Sequence, residues 1–271
     1  MCISRLEGAS TTPTACIIQN LINVFGSNSQ PGVQKAYGVD YSAYGSSNYA
    51  NNDLHEFINC DSYNHSQAAF YIKGTQAHQI VYRGCRAVDY NNRNPKGVWC
   101  EESGYFRFES GGLGNNSWDF YVGGPTTRIE VINFNSEHSQ KLFYSDRADG
   151  KKNVVFKGFR VEMDPLGTAE DPEAVVDGFG YGPFAFEDGL ISGLNGVPPV
   201  FRFTSNVPVS SRIGQVVRIT DVEFREYAEE FADVDQIRFP SGFTHFNRGG
   251  SRTLVNGEER AYRGLRVKKV L

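Results

Sequence analysis

Apolar residues recur at helical spacing in one stretch. In residues 13–25, PTACIIQNLINVF, Ile18, Leu21, Ile22 and Phe25 fall on a common helical face. Thr12 is a suitable cap and Pro13 a suitable first helical residue, so the pattern predicts a short N-terminal helix. The β-branched run from Cys16 also reads as a strand. Residues 26–53 are rich in Gly, Ser, Asn and Tyr without periodicity and predict an irregular lead-in.

From residue 54 onward alternation replaces helical spacing. HEFINC (55–60), IVYRGC (80–85), RFESGG (107–112), IEVINF (129–134), VVFKGF (154–159), FAFEDG (184–189) and VRITDV (217–222) each place alternating apolar residues near a turn-prone Asn, Gly or Asp. Their last positions recur in steps of 22–33 residues, the period of a solenoid. A second column runs through AFYIKG, GVWCEE, DFYVGG, LFYSDR, AVVDGF, VFRFTS and QIRFPS, registered on Phe70, Val98, Phe120, Phe143, Val175, Phe201 and Ile237. Two strands per repeat in constant order predict an all-β fold, a single-stranded right-handed parallel β-helix of about seven coils. A β-sandwich also uses many short strands, but its hairpins do not require two columns in fixed order.

In such a helix like residues stack from coil to coil. Phe134 over Phe159 and Cys60 over Cys85 are expected inside, the cysteines as small buried hydrophobes. Asn59, Gly84, Asn133, Gly158 and Asp221 are expected at corners, where left-handed dihedrals are cheapest. Near the end, RTLV and AYRGLRV flank Asn256–Gly257, a hairpin signal that would cover the last coil. The predicted organisation is a lead-in with helix at 1–53, the β-helix at 54–240 and a capping hairpin at 241–271.

Composition narrows the function. The 271 residues carry 27 Lys and Arg against 31 Asp and Glu, a net charge of -4, which argues against a nucleic-acid partner bound by broad phosphate neutralisation. No apolar run is long enough for a membrane helix, so membrane insertion is not expected. Cys2, Cys16, Cys60, Cys85 and Cys100 form no zinc or redox spacing, and no metal or cofactor is expected. MCISRLEGAS lacks the layout of a signal peptide.

HQIVYRGCRAV, TRIEVINFNSEHS and KNVVFKGFRVE resemble coils of the right-handed, pectin-lyase-like parallel β-helix proteins, most of all phage tailspikes and polysaccharide depolymerases. The resemblance covers about residues 54–240 and rests on coil grammar. The calcium-and-arginine motif of pectate lyases has no counterpart here. What the resemblance implies is a tail protein of a virion, or one found outside the cell after release. It implies a homotrimer that meets a bacterial surface polysaccharide and other tail proteins.

Glycoside hydrolysis needs two carboxylates, about 5–5.5 Å apart for retention or 6.5–9.5 Å for inversion. Glu101 and Asp146 each follow the second column by three residues, with Gly123 between them, two strand spacings or about 9.6 Å apart. They are the expected catalytic pair, over a floor cleared by Gly123–Gly124. Glu137 and Glu162 each follow the first column by three residues and fall one coil apart, about 5 Å. With His138 and Arg147 they are expected to contact substrate. Trp99, Tyr121 and Tyr144 point outward by alternation, as a platform for sugar rings or as a subunit interface. A non-catalytic adhesive or structural tail component is the alternative. A polysaccharide lyase is the third reading, with His138 as base and Arg147 neutralising an acidic sugar.

Overall fold

The computed structural model describes residues 2–3, 16–20, 22–24, 37–42, 55–65, 67–73, 79–90, 95–101, 103–123, 126–145, 153–164, 175–179, 184–192, 201–204, 216–227, 237–238, 244–246, 252–255 and 258–261. Among them every regular element is a β-strand, and the fold is an all-β parallel solenoid. Its strands stack in three rows. The first row runs through His55–Ile58, Ile80–Arg83 and Ser103–Glu109, the middle row through Asp61–Tyr63, Arg86–Val88 and Gly112–Gly114, and the last row through Ala68–Lys73, Lys96–Cys100 and Trp118–Val122. All of these neighbours pair in parallel.

The expected seven alike coils are corrected to about three turns of this kind. Beyond them the first and middle strands fuse into one long strand, Thr126–Ser139, and the next strand outward, Asn153–Met163, does the same. Asn133 and Gly158 still turn through the left-handed region inside these strands, and parallel pairing continues on either side of them. The strands of the two main sheets go on pairing through Phe184–Ser192, Val216–Tyr227 and Phe201–Thr204.

Among the described residues of 13–25, where a helix is expected, the structure has strands instead. Cys16–Gln19 and Ile22–Val24 are strands, paired in parallel with His55–Ile58 and Asp61–Tyr63. The coil above presents unpaired backbone groups along its edge, which a strand satisfies and a helix cannot. Asn20 between them adopts φ +54°, the same corner as in later coils. Near the other end, Arg252–Val255 and Glu258–Ala261 pair antiparallel.

Alternation turns one side of each strand into the core. Phe57, Tyr82, Phe108, Val131, Phe156 and Phe186 are register partners in succession along the first row, and all are fully buried. Phe70, Val98, Phe120, Phe143 and Val176 face them from the last row. Rings interlock across the interior, with Phe108 and Phe120 edge-to-face at 5.5 Å and Phe156 and Phe186 stacked at 5.1 Å. Each such side chain contributes about 1.5–3 kcal/mol by leaving water. The register partner of Phe143 is Val176, one residue later than the expected Val175, because Val175 carbonyl accepts from both Leu142 and Phe143 and acts as the edge of the ladder.

The corner between first and middle rows is a backbone device. Asn20, Asn59, Gly84, Ser110, Asn133, Gly158, Asp188 and Asp221 all have φ between 50° and 65°. All five residues expected there are present. Ser110 was missed because the first column is one residue early in that coil: Gly112 pairs with Arg86 and Asn135, leaving Gly111 as the mate of Cys85 and Phe134. A β-carbon at Gly111 would strike the Cys85 carbonyl and the Phe108 ring, so only glycine admits that close approach. Phe134 pairs with Phe159 as expected. Cys60 and Cys85 are buried free thiols, and burial pushes the Cys85 thiol up to about 12, too high for thiolate chemistry.

Candidate functional site

The glycines that open a site are those of SGGLG. Leu113 turns into the core, so Gly112 and Gly114 occupy the outer face of the middle row. A β-carbon on Gly112 would find only the Asn135 carbonyl, at 3.6 Å. Without side chains there, the strand lies as a floor between the Arg86–Val88 strand and the Asn135–Glu137 segment, and a groove of about 570 Å³ opens over it. Arg86, Val88 and Tyr90 form one wall, and Asn135, Glu137 and His138 the other.

Each wall is held in place. Arg86 donates from Nε to Asp61 Oδ1 at 3.1 Å and from Nη2 to Asp61 Oδ2 at 2.5 Å, a two-point fork on a buried carboxylate. Tyr63 Oη donates to the same Asp61 Oδ2 at 3.2 Å, and its ring stacks on Tyr90 at 6.2 Å. Tyr90 N donates to Asn64 Oδ1, which fixes the backbone while the ring stays 66% exposed. On the opposite wall His138 has φ +58° and is exposed, as is Glu137. Glu137 is the register partner of Glu162, which is exposed on the next strand outward. Strand spacing therefore sets their backbones about 4.8 Å apart.

Behind this wall, inside the solenoid, sits a polar network that sequence reasoning did not foresee. His65 Nε2 donates to Asn116 Oδ1 at 3.1 Å, and Asn116 Nδ2 donates to Asp119 Oδ1 at 3.2 Å. Ser139 Oγ donates to Asp119 Oδ1 at 2.6 Å and accepts from Asn116 N at 3.2 Å, while Ser136 Oγ donates to Ser139 Oγ at 3.2 Å. Because Asn116 Oδ1 can only accept, His65 carries its proton on Nε2. Burial pushes His65 down to about 4, against the hydrogen bond to Asn116 and the charge of Asp89. Burial likewise pushes Asp119 up to about 7, against hydrogen bonds from Ser136, Ser139 and Asn116. Both groups are thus kept neutral over much of the acidic range.

The expected aromatic face lies on the last row, away from the middle row that floors the groove. Trp99, Tyr121 and Tyr144 are register partners in succession, with Tyr71 preceding them. They do form one outward row, but its rings turn to one another. Tyr121 and Tyr144 stack at 4.9 Å, Trp99 meets Tyr121 edge-on at 6.0 Å, and Trp118 packs on Tyr144 at 4.7 Å. Lys96 Nζ stands 4.4 Å from the Trp99 ring and 4.6 Å from that of Tyr121, and Lys141 Nζ 3.9 Å from Trp118. Ring faces covered by ammonium groups and neighbouring rings are less open to a sugar.

Of the expected site residues, Glu137 and His138 line the groove, Glu162 stands beside Glu137 on the next strand outward, and Trp99, Tyr121 and Tyr144 share the aromatic row. Glu101 is half-buried after the Lys96–Cys100 strand, and Gly123 N donates to Cys100 carbonyl at 2.9 Å, which continues the expected register. Its partner Asp146, Arg147 and Gly124 lie outside the described residues. Arg86, Tyr90 and Asn135 were missed. The signal that could have found them is the glycine cluster at 111–114, read instead as a corner. Among the described residues no group of three or more His, Cys, Asp or Glu is placed to hold a metal. Comparison with protein-family models, curated proteins and solved structures finds no match in any of the three.

Proposed function

We propose that this β-solenoid recognises a polysaccharide of a bacterial surface, in the manner of a phage tailspike of right-handed β-helix architecture. The observation that supports it best is the groove over Gly112 and Gly114. It offers an exposed Tyr90 ring, the Asn135 amide, the Arg86 guanidinium and the Glu137 carboxylate around a floor without side chains. Planar hydrogen-bonding groups beside one aromatic ring match the hydroxyl edges and apolar face of a sugar. In this reading the chain is a homotrimeric tail component, carried on a virion or released from the cell. The aromatic row then serves the contact with neighbouring subunits or other tail proteins.

Hydrolysis is the reaction that paired carboxylates would carry. Register favours Glu137 with Glu162, whose one-strand spacing suits a retaining mechanism, one as acid and the other as nucleophile. Glu101 with Asp146 is the inverting alternative. Incubation with a panel of capsular, exopolysaccharide and lipopolysaccharide glycans is expected to show binding that Tyr90→Ala weakens. Release of reducing ends, lost in Glu137→Gln or Glu162→Gln, identifies the retaining pair, whereas loss in Glu101→Gln alone transfers the chemistry to the other site. Binding without cleavage leaves an adhesin, and unsaturated products would point to a lyase. Absence of binding to every glycan overturns the reading.

A further inference from the structure

The charge pattern of the groove narrows its substrate. On the described strands of the first and middle rows, four carboxylates are matched by arginines. Glu56 pairs with Arg83 at 2.7 Å, Glu109 with Arg107 at 3.2 Å, Glu130 with Arg128, and Asp61 with Arg86. Glu137 and Glu162 depart from this rule. They stand side by side in register, both exposed, and neither forms an ion pair or hydrogen bond through its carboxylate among the described residues. Like charges directly opposite on neighbouring strands repel, and Arg160, exposed two residues before Glu162, forms no ion pair with either carboxylate.

Arg86 stands on the facing wall. It is the groove's one arginine among the described residues, and Asp61 already occupies its fork at two points. A uronate or sialate carboxylate would meet a guanidinium whose charge Asp61 already offsets, while facing the Glu137 carboxylate across the floor.

We infer that the groove takes sugars that are neutral or carry an amine, and rejects acidic ones. An ammonium group on the sugar would meet Glu137, whose negative charge is reinforced by Glu162 on the next strand, and hydroxyl groups would meet Asn135 and Arg86. This rests on the glycan reading above and deepens it by naming the class of sugar.

The test uses the whole chain and three monosaccharide probes of like shape: glucosamine, methyl glucoside and glucuronate. Each is titrated at low salt while the backbone amide shifts of Gly112, Gly114 and Glu137 are followed by NMR. Glucosamine is expected to bind tightest and glucuronate weakest, with roughly a fivefold gap between the extremes. Glu137→Gln combined with Glu162→Gln should close most of that gap. Asp61→Asn, which releases the Arg86 fork without changing shape, should raise glucuronate affinity several-fold. Glucuronate binding as tightly as glucosamine, or a gap unmoved by the double Gln variant, overturns the charge assignment and leaves the glycan reading standing. Silence of the groove amides toward all three, together with a blank glycan panel, removes the glycan reading itself and this assignment with it.

Discussion

The groove and the aromatic row are built on the same coils by the same alternation, and they end up opposite in character. On the last row, Trp99, Trp118, Tyr121 and Tyr144 close on one another and on Lys96 and Lys141, so their contact energy is spent within the molecule. On the middle row, glycines withhold side chains, Tyr90 stays exposed and two carboxylates stay unpaired. An aromatic stripe looks more like a binding face in a sequence than a run of glycines does. Once packed, the stripe reads as stability and the glycines as opportunity.

The comparison is most directly broken by truncating one ring from each side. Trp99→Ala should destabilise the fold by about 2 kcal/mol, since a half-buried ring loses neighbours and a cation above it. Tyr90→Ala should leave stability within about 0.5 kcal/mol and weaken glycan binding about tenfold. Denaturant midpoints and glycan titrations of both variants check this, and equal stability losses would erase the distinction.

pH sharpens the contrast from the inner side of the same strands. His65 is held below its ordinary value, so its share of stability is present above about pH 6.5 and is lost as pH falls toward about 4. Asp119, behind the aromatic row, is held above its ordinary value. Its share is present below about pH 4 and is lost as pH rises through about 7. Between those limits the slopes oppose one another, and the pair adds little net pH dependence. Asp119→Asn should expose the His65 slope, with stability falling as the solution is acidified below pH 6.5, by up to about 1.4 kcal/mol per unit. His65→Gln should expose the reverse, with stability falling from pH 4 toward 7. Urea titrations across that range read both, and a wild-type slope unchanged in either variant would contradict the neutral pairing.

Smaller effects separate floor from corner. Gly158→Ala, at φ +65° with Asn133 Oδ1 2.7 Å from the new β-carbon, should cost about 1–2 kcal/mol. Gly112→Ala has ordinary space and should cost less than that while reducing sugar binding, because its methyl stands on the groove floor. Least of all, Ser110→Gly should stabilise by about 0.5 kcal/mol, since Ser110 is a non-glycine residue held in the left-handed region. Thermal denaturation resolves the order of the three.

Much of the fold was legible because a solenoid repeats its demands. Asn59, Gly84, Asn133, Gly158 and Asp221 were readable as corners since each coil needs one residue with positive φ at that place. Stacked partners such as Phe134 and Phe159, or Glu137 and Glu162, followed from the same period. Where a coil departs from the repeat, reading by analogy slipped. SGGLG carries two adjacent glycines, and Gly111 rather than Gly112 lies level with Cys85 and Phe134. At residues 13–25, Ile18, Leu21, Ile22 and Phe25 suit a helix as well as strands, and only the edge of the neighbouring coil decided between them.

The alternating pattern by itself determined a parallel all-β solenoid and the side of its paired strands that faces the core. Tertiary structure alone decided that Asp61 neutralises Arg86, that lysines cover the aromatic row and that His65 and Asp119 share a buried network through Asn116. Period is a property of the chain, because each coil must satisfy the same backbone edge. Partnership depends on which side chains 20 to 51 residues apart in sequence arrive within about 3 Å of one another. That is settled by packing.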